Sequence, residues 1–195
     1  YGSSAVMSTF VGNHDVPRSI HFADDTSLWS DVWSDGKNLA WNNRPGLPTG
    51  TKAFERLGNA FTLLFTSKGI PLVYYGDEFG MPGAGDPDNR RMMQWSGYSV
   101  GQQLLHDHIK QLAAIRSAHP ALRRGVRTTL SSDQSTMVYK MVDTTETVYV
   151  VINVSDDVKT VTTPSGTFKE LLRNTGASGP VMSIPPRSAF ILVNP

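Results

Sequence analysis

The chain has 195 residues, of which 39% are hydrophobic and 18% charged, with a formal net charge of +1 and no cysteine. A chain of that length buries a real core, as one large domain or two small ones. The near-balance of charge excludes a polyanion-binding stripe, so nucleic acid is not an expected partner. The missing cysteines exclude disulfides, thiolate catalysis and Cys-based zinc sites.

No apolar stretch nears the roughly 18–20 residues that span a bilayer, so no membrane partner is expected. Residues 1–4 carry neither the basic segment nor the long apolar run of a secretory signal. Localisation stays open between secreted and cytoplasmic, and any signal would lie upstream.

In chain order, residues 5–11 form an apolar run that predicts a buried strand and stops at Gly12, delivering Asn13, His14 and Asp15 together at its tip. Residues 12–50 are a long polar connection holding Trp29, Trp33 and Trp41, which either pack the loop onto the body or offer an indole face to a sugar ring. Residues 51–67 predict a helix, with Phe54, Leu57, Phe61 and Leu64 on one face and Lys68-Gly69 as its stop. Residues 70–75 predict a second buried strand, ending in Gly76, Asp77 and Glu78. Two such strands joined by a helix make a βαβ unit, with its site at the carboxyl ends of the strands.

A glycine- and proline-rich connection over 76–101 leads to a predicted helix over 102–118, closed by His119-Pro120. His106 and His108 are too close in sequence to face one way on that helix, so they do not read as a metal pair. From about Val126 the period changes. Segments 136–142, 147–154, 158–163, 168–172 and 189–193 are short and β-rich, and turn signals separate them. They predict an all-β sandwich domain.

Three stretches together carry a resemblance. Phe10-Val-Gly-Asn-His-Asp15 resembles the Asn-His-Asp signature of the α-amylase family of glycoside hydrolases. Gly69-Ile-Pro-Leu-Val-Tyr-Tyr-Gly-Asp-Glu78 is similar to that family's strand-eight motif. Asp86-Pro-Asp-Asn-Arg-Arg91, with Met93-Gln-Trp95, resembles the segment that follows, most nearly in the neopullulanase, cyclomaltodextrinase and oligo-glucosidase branches. Relatives in those branches often carry a cysteine where this chain has Asn89.

The resemblance implies an α/β plus all-β architecture. Residues 1–120 would be the last two βα units of a (β/α)8 TIM barrel, and residues 121–195 a C-terminal antiparallel β-sandwich domain. It implies part of a retaining α-glucan hydrolase, whose partners are an α-glucan oligosaccharide or starch and a missing N-terminal part of the barrel. The family's nucleophile and general acid lie upstream of these motifs, so the chain alone is expected to be inactive.

By the same resemblance His14 and Asp15 are the catalytic candidates, binding the hydroxyls of the sugar at the cleaved bond. Asn13, Arg18, Asp86 and Arg90 are the substrate-binding candidates. Arg18 would bind substrate hydroxyls or pair with an upstream acid. Asp86 and Arg90 would form a sugar subsite or simply pair with each other to stiffen their loop. No cofactor is implied. Calcium is conceivable, but Asp86 and Asp88 alone fall far short of a ligand set. The alternative reading is a non-catalytic carbohydrate-binding or structural domain.

Overall fold

The computed structural model describes residues 6–25 and 36–195. Trp29 and Trp33, and the start of the first predicted strand, lie outside the described residues. The chain divides into two compact units. One gathers the chain through Thr9, Phe61–Pro71 and Lys110–Pro195, and the other Phe10–Ala60 and Leu72–Ile109.

In the first unit, β1 (Ser8–Thr9) and β2 (Ile70–Pro71) pair in parallel, Ser8 opposite Ile70. The strands expected over 5–11 and 70–75 are therefore two residues each, and they are not buried. Val6, Met7 and Phe10, and likewise Ile70 and Leu72, all lie at least 40% exposed. The reason is physical: parallel strands hold their length when paired and covered on both sides, and a lone pair is marginal. Gly69 takes φ 125°, and a Cβ there would run into the Met7 carbonyl, so only glycine lets the chain enter β2 beside β1.

The C-terminal part of this unit is a six-stranded antiparallel sheet of order β3-β4-β5-β10-β7-β8, with a separate β6–β9 ribbon. Its strands are β3 (Val126–Ser132), β4 (Thr136–Val142), β5 (Thr147–Asn153), β6 (Lys159–Thr162), β7 (Thr167–Glu170), β8 (Thr175–Ser178), β9 (Val181–Ile184) and β10 (Ser188–Val193). Val138 and Val151 from β4 and β5 share one apolar core with Phe168 and Leu192 from β7 and β10. Val161, Met182 and Ile184 of the ribbon complete it. Burial of each such side chain is worth roughly 1.5–3 kcal/mol, so this cluster carries much of the unit's stability.

Two polar devices, one of them buried, fasten helix ends in the same unit. Arg116, 7% exposed, donates to the carbonyls of Phe65, Ser67 and Gly69, at the end of the helix that precedes β2 and in its exit turn, and to that of Leu122 in the short helix 120–124. Glu146 accepts from the Ala121 amide at 3.0 Å and meets His119 Nδ1 at 2.7 Å, capping α5 (Pro120–Arg124).

The second unit holds α1 (Ser19–Ala23) and α2 (Leu39–Asn42). It also holds most of α3 (Lys52–Thr66), half of α4 (Val100–Ala118), and the 3-10 turns Asp77–Phe79 and Asp88–Arg90. Ile20, Phe54, Phe79 and Leu105 are fully buried, and Phe79 stacks on Tyr98 at 4.8 Å between ring centroids. Both long helices fall where the three-and-four spacing predicts them. Among the described residues no helix is long and apolar enough to cross a membrane.

Candidate functional site

The site is built where the run through Val11 ends. A Cβ on Gly12 would fall on Ser19 Oγ and Asp77 Oδ2, nearer than real Cβ atoms come to anything. Glycine is what lets the backbone pass that close to a buried carboxylate. Asn13 Oδ1 then accepts the Asp15 amide at 2.8 Å, the short-range turn that asparagine makes with the residue two ahead. The turn presents His14 and Asp15 to solvent, with side chains 59% and 68% exposed and His14 Nε2 3.3 Å from Asp15 Oδ1. A ring donor and a carboxylate acceptor thus stand side by side on a fixed backbone.

Beneath them lies Arg18, 1% exposed. Its guanidinium sits over the Tyr74 and Tyr75 rings, 4.2 and 4.6 Å from their centroids. Nη1 donates to the Tyr75 carbonyl and, at 3.3 Å, to Asp77 Oδ1. The Ser19 hydroxyl donates to Asp77 Oδ2 at 3.1 Å. Burial pushes the Asp77 carboxyl up to about 6, although Arg18 and Ser19 pull it the other way. Arg18 Nε and Nη2 are buried without a hydrogen-bond partner. Arg18 therefore pairs with an acid of this chain, out of contact with solvent.

Residues 81–91 pack against the turn at 13–18 and the start of α1. The Arg18 amide donates to the Gly83 carbonyl at 3.0 Å, and the Gly83 amide to His21 Nε2 at 3.0 Å. An imidazole nitrogen that accepts carries no proton, so the neutral His21 ring holds its proton on Nδ1. Burial, followed by the Arg91 charge, lowers the His21 pKa to about 4.

Asp88 accepts the Ala84 amide at 2.9 Å and both Nε and Nη2 of Arg91 at 2.9 and 2.7 Å, with Arg44 3.5 Å away. Burial pushes its carboxyl up, but these donors and charges outweigh it and hold the pKa below the usual carboxylate range. Asn89, fully buried, donates through Nδ2 to the carbonyls of His14 at 2.8 Å and Val16 at 3.0 Å. Arg90 pairs with Asp86 at 2.7 Å and reaches the His14 carbonyl at 3.3 Å.

The structure thus brings Asn13, His14 and Asp15 together and sets the Asp86–Arg90 pair against the His14 backbone, while Arg18 lies underneath. Sequence reasoning missed Asn89, Tyr74, Tyr75 and His21. Only the departure from cysteine at Asn89 marked any of them. Glu78 accepts the Gly76 amide at 2.6 Å, a local bond that closes the turn. Asp86 and Asp88 are both committed to arginines. Among the described residues no group of three or more His, Asp or Glu is placed to hold a metal. Trp41 is 69% exposed.

No family model matches the chain. A cyclomaltodextrinase of Geobacillus thermopakistaniensis is 41% identical over 106 residues, covering 53% of this chain and 18% of that protein. A maltogenic α-amylase of Bacillus acidopullulyticus is 33% identical over 149 residues, covering 74% of this chain and 21% of that protein. A solved α-amylase of Geobacillus thermoleovorans, complexed with acarbose, aligns over 96% of this chain and 38% of its own, with 27% identity and a TM-score of 0.74.

The chain belongs to the α-amylase family. It spans about a fifth of the length of these curated relatives. They are α-glucan hydrolases of the amylase family, and the solved relatives that this α-amylase-family chain matches share its fold. Its six-stranded antiparallel sheet belongs to that shared fold, since the alignment with the acarbose-bound enzyme runs over nearly the whole chain.

Proposed function

We propose that the chain is the C-terminal part of a retaining α-glucan hydrolase. In this reading residues 1–120 supply the last two βα units of a (β/α)8 barrel and residues 121–195 an antiparallel β-sandwich. His14 donates to, and Asp15 accepts from, hydroxyls of the sugar at the cleaved bond. These bonds tighten as the ring flattens toward the oxocarbenium ion, so they lower the barrier selectively. The observation that carries the reading is the exposed His14–Asp15 pair, set 3.3 Å apart on an Asn13 turn.

A retaining enzyme needs two carboxyl groups roughly 5–5.5 Å apart. Near the pair, Asp77 is buried under Arg18 and Glu78 is tied to the Gly76 amide, so the nucleophile and acid are assigned to sequence outside this chain. Arg18 supports the strand end from below. Asp86 and Arg90 border it and are assigned to a neighbouring sugar subsite, while Asn13 shapes the turn. α-Glucan oligosaccharides are the substrate class, in line with the acarbose held by one solved relative.

The test is Asp15→Asn in the longer enzyme that this reading requires. The change keeps shape and removes a charged acceptor, and losing one transition-state hydrogen bond costs ~10²-fold or more in kcat. An unchanged kcat with only KM raised would remove the pair from chemistry. That result would favour the second reading, a sugar-binding module without catalysis, which the structural commitment of Asp77 and Glu78 also fits.

A further inference from the structure

The His14–Asp15 peptide is held at both ends. Its N–H, that of Asp15, is bound by Asn13 Oδ1 at 2.8 Å. Its C=O, that of His14, accepts from Asn89 Nδ2 at 2.8 Å and from Arg90 Nη2 at 3.3 Å. The second hydrogen of the same Asn89 amide goes to the Val16 carbonyl at 3.0 Å. One fully buried side chain, from a loop more than 70 positions away in sequence, thus bonds the carbonyls on either side of Asp15. A primary amide suits the task because it offers two N–H donors in one plane, and two backbone carbonyls need two donors.

We propose that Asn89 is the positioning residue of the pair: it fixes the direction in which His14 and Asp15 face the sugar and makes no sugar contact itself. This rests on the reading of His14 and Asp15 as sugar contacts. Asn89→Asp keeps the volume and replaces both donors with acceptors that repel the two carbonyls. Asn89→Ser keeps one donor, so it restores part of the hold.

The experiment compares the chain with Asn89→Asp, Asn89→Ser and Asp15→Ala. Backbone order parameters are read by NMR relaxation and acarbose affinity by calorimetry, with the thermal midpoint as a folding control. We expect the amides of His14 and Asp15 to fall from about 0.85 to below ~0.6 in Asn89→Asp, while Val150 and Ile191 in the sheet keep their values. Acarbose should bind at least ~10-fold more weakly in that variant, with Asn89→Ser intermediate on both scales.

Unchanged order at Asp15, or unchanged acarbose affinity in both Asn89 variants while Asp15→Ala loses it, would overturn the positioning role alone. Order lost at Asp15 in Asn89→Asp upholds the positioning role whether or not the wild-type chain binds acarbose, and acarbose affinity left unchanged by Asp15→Ala in a chain that binds it would overturn the sugar reading. If Asn89→Asp does not fold, Asn89→Ser decides by the same two measurements.

Discussion

Arg18 Nη1 lies 3.3 Å from Asp77 Oδ1, and both residues are 1% exposed, an ion pair with both partners out of water. Taking two charges out of water is expensive, and their attraction repays it only while both are present. Truncating Asp77 removes the acceptor of both Arg18 and Ser19 and leaves the buried guanidinium without its partner, which protonating the carboxyl in place does not do. Asp77→Ala should therefore cost about 3–5 kcal/mol in urea unfolding. The double variant Arg18→Met/Asp77→Ala should recover a large part of that loss. Equal losses in the single and double variants would show that packing by Tyr74 and Tyr75 matters and the charges do not.

Asp77 and the buried His21 titrate in opposite senses. His21 is held to about 4 in the folded chain against an ordinary 6.5, so the unfolded chain binds its proton first as pH falls. Its contribution is present above pH 6.5 and is lost as pH drops toward 4, by about 3 kcal/mol in all. Asp77 is raised to about 6 from 3.8, so the folded chain binds its proton first. Stability from Asp77 therefore increases as pH falls from about 6 to 3.8, also by about 3 kcal/mol.

The two slopes oppose each other between about pH 4 and 6. Removing either group exposes the other. In His21→Asn, stability should fall as pH rises from 4 to 6, and in Asp77→Asn it should rise over the same window. Urea unfolding at pH 4, 5, 6 and 7 reads both, and parallel curves in the two variants would contradict the assignment.

The Asp86–Arg90 pair is of a different kind, since its side chains are 43% and 48% exposed. Exposed pairs are worth about 0–1 kcal/mol, so Arg90→Ala should barely move the unfolding midpoint. If the pair borders a sugar subsite, the same variant in the longer enzyme should lose more kcat/KM on maltohexaose than on a short activated glucoside. Equal losses on both would leave Arg90 a role in the loop alone.

Much of this was legible in the residues. The three-and-four spacing of Phe54, Leu57, Phe61 and Leu64 marked α3 to within a residue or so, and the β-rich run over 136–142, bounded by turn signals, marked β4. β3 carried no such signal: Arg-Thr-Thr-Leu-Ser-Ser has no apolar face because every residue of this edge strand is exposed. β8, Thr-Gly-Ala-Ser, turns only the small Ala177 toward the core, and β9 is only four residues long.

In the site, Asn13, His14 and Asp15 are adjacent, so a motif shows them. Asn89 and Tyr74 act through contacts some sixty to seventy-five positions away, which no local pattern encodes. The shrinkage of the two parallel strands was equally hidden. Apolar content predicts burial only when something stands ready to cover it.

The central claim is that this chain recognises the sugar and does not cleave it. The direct measurement is to purify residues 1–195 alone and assay them on maltotriose, cyclodextrin and starch. The account predicts no turnover by the chain alone, and turnover when the N-terminal part of the barrel is supplied. Turnover by the 195-residue chain itself, abolished by Asp15→Asn or Glu78→Gln, would mean that it carries its own carboxylate pair, and the assignment of the nucleophile and acid to other sequence would be wrong.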